Sequence, residues 1–581
     1  MNSETKQCQN CKQNFTIEPE DFQFYEKIKV PAPTFCPQCR MIRRLIFWNE
    51  HFLFRKKEAI ENKEIFSTFP EVAPVKIYEH DYWFSDAWDP MSYGRNVDFS
   101  KSFLEQYKQM IYEMPWPSRS IKSLVNSDYC NQVASLKNCY LCFNAKDSEN
   151  CLYGIGFQKM KDCSDFYWSF KCELSYEFAF SASLYQSFFT YNSSDGRNLW
   201  FCENCDNCSD CFGSVNLRHK QYYIFNEPYA KEEYFKKIKE FNLGSYKSLI
   251  AIKEQVKNNW LKFPVKYAHS YHNENVTGDY VSGSKNAKYV FQGGNMENVK
   301  YVQNMGNNIK DSYDYTNWGE NAELIYDSVS VGEDCRNLKF CFDCWPGCQD
   351  LEYSISCHSS SDLFACFGLK KKQYCILNKE YSKDEYFALR EKLIKHMSDM
   401  PYKDKTGKVY KYGEFFPGEF SPLAYNETVS DDYFSSTKEK VEAQGLLWRA
   451  PHPKEYVVTI SADKLPDHIN DVTESILKET IGCLKCKKAY RILERELEFY
   501  KRFSLPLPRL CQACRYTERA KIRNPLKWYK RQCVCDNKVY KNFETHAHHP
   551  EGRCPNEFET TYAPDRKDIV YCESCYQNEV V

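Results

Sequence analysis

From about Asn126 the polar and apolar positions of this chain recur every 12 residues. Asn138-Cys139-Tyr140 is followed by Asn150-Cys151-Leu152 and then by Asp162-Cys163-Ser164. The register degrades through Ser175-Tyr176, Ser187-Phe188 and Leu199-Trp200, and recovers at Asp210-Cys211-Phe212. A second stretch begins at Asn286-Ala287-Lys288-Tyr289-Val290, which recurs as Asn298-Val299-Lys300-Tyr301-Val302. Tyr313, Tyr326, Phe340 and Tyr353 follow at spacings of 12 to 14. Small or thiol residues at one phase with aromatics beside them predict stacked parallel rungs, with Asn or Asp at the corners. The expected fold is mainly β with short helices, built from parallel β-solenoid-like modules. Period alone leaves open whether 12 residues make a whole turn or half of a wider one.

A larger unit overlies the short one. Lys220, Gln221, Tyr222, Ile224 and Asn226 recur at an offset of 152 as Lys372, Gln373, Tyr374, Ile376 and Asn378. Each copy then enters a helical stretch, at 232–241 with a continuation to Trp260, and at 384–397. Ser382 with Glu385 three residues on is a capping box for the second. These helices are expected to cover solenoid ends, which would otherwise be open strand edges. Residues 398–480 are broken by Pro401, Gly407, Gly413, Pro417, Gly418 and Pro422, with one short helix expected at 438–444. The aromatic segment 60–117, with a helix around 99–112, is expected to pack against the first solenoid rungs.

The cysteines change the picture most. Cys8-x-x-Cys11 is followed by Cys36-x-x-Cys39, and adding 475 to each number gives Cys483, Cys486, Cys511 and Cys514. Lys12, Phe24, Tyr25, Pro31, Pro33, Arg40, Arg44 and Asn49 keep the same offset as Lys487, Phe499, Tyr500, Pro506, Pro508, Arg515, Arg519 and Asn524. Two thiolates per CxxC and two CxxC pairs per segment complete a tetrahedral structural zinc site, and neither segment needs the open position of a catalytic one. Iron could also occupy four thiolates. A third cluster ends the chain: Cys533, Cys535, His546, His548, His549, Cys554, Cys572 and Cys575. Cys572, Cys575 and Cys554 are three expected ligands; Cys535 is taken as the fourth, with Cys533, His548 and His549 as alternatives. The surplus of donors also permits three thiolates with one imidazole, or a second weak site. About three zinc ions are therefore expected.

Cys202, Cys205, Cys208 and Cys211 have the spacing of an iron–sulfur run, but Phe212 stands where such runs usually carry proline. As small hydrophobes filling a solenoid interior they need no metal, and the same holds for Cys341, Cys344 and Cys348. Basic arms follow both ribbons: Arg40, Arg43, Arg44, Arg55, Lys56 and Lys57 in one, and Arg515, Arg519, Lys521, Arg523, Lys527, Lys530 and Arg531 in the other. Cations interleaved with Phe47, Trp48 and Trp528 suit a nucleic-acid surface; equally, they suit an amphipathic helix docked on its ribbon. The net charge of −1, from 78 basic and 79 acidic residues, gives no global field towards nucleic acid or anionic lipid.

At 581 residues several domains are required. They are expected at 1–58 (zinc ribbon with basic arm), 59–125 (aromatic mixed region), 126–260 and 261–400 (first and second solenoid modules with capping helices), 401–480 (loop-rich connector), 481–531 (second zinc ribbon with basic arm) and 532–581 (C-terminal zinc knuckle). Aromatic content of 16% with a mean hydropathy of −0.67 suits a sheet-rich solenoid. Thirty cysteines in CxxC-like spacings favour a reducing compartment over a disulfide framework. With a polar N-terminus and no apolar run of transmembrane length, the expected location is cytoplasmic and no membrane partner is expected. No phosphate loop, GxSxG, HExxH or partnered Cys–His pair is present, so no catalysis and no small-molecule substrate are expected.

Phe24-Tyr25-Glu26-Lys27-Ile28 within the first ribbon, Ser85-Asp86-Ala87-Trp88-Asp89-Pro90 leading to Asp98-Phe99-Ser100, Tyr425-Asn426-Glu427-Thr428, and Thr561-Tyr562-Ala563-Pro564-Asp565-Arg566 before Cys572 together carry a resemblance over essentially the whole chain. The chain resembles a family of cysteine-rich zinc-ribbon proteins from uncultivated small-genome bacteria. Some members carry a CoA-transferase-type label, which implies a large α/β fold at odds with this cysteine-rich repeat. The resemblance implies zinc binding and adds no activity. Where relatives tend to have a CxxC before the final knuckle, this chain has Glu551 and Cys554. The resulting expectation is a multi-zinc scaffold binding another macromolecule, protein or nucleic acid. The rival is a nucleic-acid binder using the two arms; the third is a thiol or iron–sulfur redox protein centred on Cys202 to Cys211.

Overall fold

Inside both repeat stretches the phase that faces the core recurs every third residue as well as every twelfth. Cys130, Val133, Leu136, Cys139 and Cys142 are all buried, and each of the last four directly follows a residue in the left-handed conformation. Gln132, Ser135, Asn138, Leu141, Asn144, Asp147 and Asn150 have φ between 50° and 56°. Each left-handed residue turns a corner, and four three-residue sides close a rung. Parallel pairing at an offset of twelve, Val133 with Ala145 and Leu152 with Ser164, makes 12 residues one full turn. The structure, a computed structural model, describes residues 2–450 and 456–580.

A left-handed non-glycine residue costs roughly 1–2 kcal/mol, so the corners need compensation. Asn and Asp tolerate this conformation best, and here their side chains also bond from rung to rung. Asn126 donates to Asn138, Asn138 to Asn150 and Asn150 to Asp162, at 3.1, 3.1 and 2.8 Å. The second solenoid repeats the device, with Asn286 donating to Asn298 and Asn298 to Asp311 at 3.2 and 3.0 Å. Its rungs lengthen to thirteen residues between Met296↔Ile309 and Arg336↔Gln349, and return to twelve at Gln349↔Ser361.

Each solenoid ends on an antiparallel return strand, Glu227–Pro228 or Lys379–Glu380, before its helix. Helices Lys231–Glu240 and Tyr246–Trp260 follow the first, and Lys383–Asp399 the second. The Ser382–Glu385 capping box forms as expected. Among the described residues no helix is long and apolar enough to cross a membrane.

The chain forms two compact units, each discontinuous in sequence. One combines Met1–Arg119 with Ala268–Ala450, joining the N-terminal ribbon to the second solenoid. The other combines Ser120–Tyr267 with Pro451–Val581, joining the first solenoid to the C-terminal ribbon and knuckle. This corrects the expectation for the aromatic segment, which packs on the second solenoid. Tyr107 donates to the Cys366 carbonyl at 3.1 Å, and Trp116 meets Phe367 edge-on at 4.9 Å. The stretch expected as a connector is divided between the units. Its first part carries Phe415, Phe416 and Phe420, all fully buried, and its residues 451–455 lie outside the described ones.

Candidate metal centres

In both ribbons the first cysteine pair sits on a tight turn and the second straddles a helix start. Lys12 and Lys487, both with φ 61°, donate their N–H groups to the carbonyls of Cys8 and Cys483 at 3.1 Å. Cys36 and Cys511 are the N-caps of helices Pro37–Leu45 and Gln512–Ala520, which places Cys39 and Cys514 in the first helical turns. A helix N-terminus favours thiolate over thiol. The Cys36 N–H donates to Cys8 Sγ and the Cys511 N–H to Cys483 Sγ, both at 3.3 Å. The Cys36 and Cys39 thiols, helped by backbone N–H groups, hold the Cys8 thiol well below its usual range. Burial raises the Cys483 thiol, but the N–H groups of Cys486, Cys511 and Lys485 outweigh it and bring it down to about 7.

Cys11 and Cys36 sulfurs lie 3.7 Å apart, and Cys486 and Cys511 sulfurs 3.6 Å. Metal–sulfur bonds of 2.3 Å at the tetrahedral angle require a sulfur–sulfur edge of roughly 3.8 Å. Within each set, Cys8–Cys11–Cys36–Cys39 and Cys483–Cys486–Cys511–Cys514, all sulfurs lie within 4.8 Å of one another, so each set could hold one metal ion.

The knuckle repeats half of this design. Cys572 and Cys575 flank the start of helix Glu573–Val580, and the Cys572 N–H donates to Cys533 Sγ at 3.2 Å. The four-sulfur group that forms is Cys533, Cys554, Cys572 and Cys575, with Cys554 and Cys572 sulfurs 3.9 Å apart. Cys535, expected as the fourth ligand, lies outside that group. Residues two apart on an extended strand share a face, but only Cys533 reaches the Cys572 N–H; Cys535 Sγ faces His546 instead, at 3.5 Å. The N–H-to-sulfur contact common to all three sites is the feature that singles out Cys533, and the sequence does not display it.

The first arginines of each basic arm are also placed differently from a nucleic-acid surface, while Arg55, Lys57, Lys521, Lys527 and Lys530 further along are exposed. Arg40, Arg43 and Arg44 are at most 5% exposed, and Arg515 and Arg519 are 7% and 3% exposed. Their partners are carboxylates at one corner of the solenoid in the same unit. Arg40 pairs with Asp314 at 2.8 Å, Arg43 with Asp327 at 2.8 Å, and Arg44 with Asp327 at 2.7 Å. In the other unit Arg519 and Arg515 pair with Asp165 at 2.6 and 3.2 Å. Tyr153 and Tyr301 occupy matching places one rung earlier, beneath Arg515 and Arg40 at 4.8 and 5.4 Å. These cations lock each ribbon helix onto a solenoid corner.

Cys202, Cys205, Cys208 and Cys211 occupy the inward phase on successive sides of the rung. Cys202 Sγ points at the carbonyls of Trp200 and Cys211, both at 3.5 Å, and Cys205 Sγ at those of Glu203 and Ser214. Among the described residues they belong to no group of mutually close donors, and neither do Cys341, Cys344 and Cys348. Burial pushes the Cys202 thiol well above its usual range, which disfavours a thiolate ligand. Serine fills the same phase at Ser181 and Ser193, each bonding the carbonyl two residues back at 2.9 and 2.8 Å. Cys205→Ser is therefore expected to leave the metal content unchanged and to shift unfolding by less than about 1.5 kcal/mol. Urea titration with metal analysis of the same sample measures both.

No family model and no curated protein matches the chain. A solved structure described as an acetyltransferase from Desulfovibrio desulfuricans G20 aligns with 52% of this chain and 85% of its own, at 10% identity and a TM-score of 0.09.

Proposed function

We propose that the chain is a zinc-stabilised, non-catalytic scaffold that presents its solenoid faces to another protein. What carries this reading is the tetrahedral spacing of the four-cysteine groups combined with the docking of each ribbon helix on a solenoid corner. Zinc is the metal favoured by four thiolates that need no redox chemistry and leave no open position. The resemblance to cysteine-rich zinc-ribbon proteins supports the same choice. The CxxC-like spacing of the cysteines suits metal ligation better than a disulfide framework, which supports a reducing, cytoplasmic setting.

A protein partner is favoured over nucleic acid by the charge pattern of the rungs. Lys137, Glu149, Lys161 and Glu173 stand on successive rungs of one ladder. Glu274, Lys285, Glu297, Lys310, Glu323 and Arg336 form its counterpart. Alternation of sign gives cross-strand pairs, such as Lys285 with Glu274 at 3.1 Å, and no positive stripe for a phosphate backbone.

Elemental analysis and an absorbance spectrum of protein purified without added metal test the zinc assignment. At least three zinc ions per chain and no visible band are expected; iron with sulfide would overturn it. Titration with single- and double-stranded nucleic acid tests the choice of partner. Tight binding that weakens steeply with salt would replace the scaffold by the nucleic-acid reading.

A further inference from the structure

The knuckle holds more donors than one ion can use, and two further groups overlap at His549 and Cys575: one with His548, which is exposed, and Cys554, and one with no exposed member. Cys535 Sγ, His546 Nδ1, His549 Nε2 and Cys575 Sγ all lie within 4.8 Å of one another. The consecutive separations are 3.5 Å from Cys535 to His546, 3.2 Å from His546 to His549, and 3.1 Å from His549 to Cys575. Tetrahedral zinc with sulfur at 2.3 Å and nitrogen at 2.0–2.1 Å requires nitrogen–nitrogen and nitrogen–sulfur edges of roughly 3.3–3.6 Å.

The protons point to the same conclusion. His546 Nε2 lies 2.9 Å from the Glu579 carboxylate, and both side chains are fully buried. With Nε2 turned to that carboxylate, a neutral His546 presents Nδ1 to Cys535 and His549 as an acceptor or metal ligand. Cys535 is oriented in turn. Its sulfur accepts from Asn542 Nδ2 at 3.1 Å, and Asn542 Oδ1 accepts from the Tyr571 hydroxyl at 2.9 Å. Two ring nitrogens and two sulfurs brought this close form a donor set suited to a cation.

We propose that the knuckle is a two-metal cluster, in which Cys575 bridges the Cys533–Cys554–Cys572 site to a second zinc ion held by Cys535, His546 and His549. The proposal rests on the reading of the chain as a zinc protein. Five thiolates and two neutral imidazoles around two divalent ions leave a net charge near −1, smaller than the −2 of a lone four-thiolate site. His548 is solvent-exposed, with Nε2 at 3.3 Å from Cys575 and 3.6 Å from Cys554. It lies within hydrogen-bonding reach of those sulfurs, and the proposed second ion does not need it as a ligand.

Native mass spectrometry of the full chain should find four zinc ions, three after His549→Ala, and four after His548→Ala. X-ray absorption at the zinc edge of the unaltered chain needs no variant. It should show a minor nitrogen shell at about 2.0–2.1 Å beside sulfur at about 2.3 Å, together with a metal–metal vector. Three ions with a sulfur-only shell would overturn the bridge and leave the scaffold intact. A chain without zinc would overturn both.

Discussion

Serine at position 36 is expected to remove one zinc ion per chain and to unfold the N-terminal ribbon. A hydroxyl is a poor replacement for thiolate at zinc, and apart from the docked helix Pro37–Leu45 the ribbon has little core of its own. Its strands Glu4–Gln7 and Asn14–Ile17 are mostly exposed, and its first helix, Pro19–Lys27, buries only Asp21, Phe24 and Tyr25. Structural zinc contributes an apparent 10–16 kcal/mol, roughly, in isolated fingers, so no plausible repacking offsets its loss. The damage should extend beyond the ribbon. Cys36 caps helix Pro37–Leu45, and that helix carries Arg40, Arg43 and Arg44 onto Asp314 and Asp327. Releasing it leaves two carboxylates without cations, so the unit containing the second solenoid should melt earlier by at least about 3 kcal/mol of stability. Cys511→Ser should do the same to the other unit through Arg519 and Asp165. Calorimetry with metal analysis measures both. A full zinc complement in Cys36→Ser with an unchanged transition would exclude Cys36 as a ligand.

The duplicated ribbons and the twelve-residue rungs are legible in the sequence because both are spaced along one continuous stretch. The three-residue corner is harder to see. Left-handed positions carry Leu141, Tyr153, Trp168 and Phe180 as well as Asn and Asp, so no residue type marks them. Its clearest trace is Cys202 to Cys211, whose spacing of three is the solenoid's own inward phase and only imitates a ferredoxin run. The basic arms mislead for another reason: their carboxylate partners lie hundreds of residues away, Asp314 from Arg44 and Asp165 from Arg519. Local sequence shows the cations and their aromatic neighbours; only the fold shows the acids that neutralise them. The pairing of each ribbon with the more distant solenoid escapes for the same reason, since it depends on which corner carries Asp165 or Asp314.

That corner supplies the second large effect. Arg44 is fully buried, 2.7 Å from Asp327 and 3.3 Å from Asp314, with Nε donating to Thr316 Oγ1 at 3.1 Å. Asp314 and Asp327 are also fully buried. Removing one member of a buried pair leaves an uncompensated charge and costs about 3–5 kcal/mol, far more than the net worth of the pair. Arg44→Ala should fall in that range by urea unfolding, with little dependence on salt because the site is sealed from solvent. Asp327→Ala should cost a similar amount, as it also strips Arg43 of a partner. The double variant should lose clearly less than the two singles added together, because it leaves fewer unmatched charges behind. This cycle also decides between the two roles open to the arm. If Arg44 served a nucleic-acid surface, its removal would weaken salt-sensitive binding and leave the fold intact. A loss under about 1 kcal/mol, typical of an exposed pair, would show that the ribbon helix is not held on the solenoid by this contact.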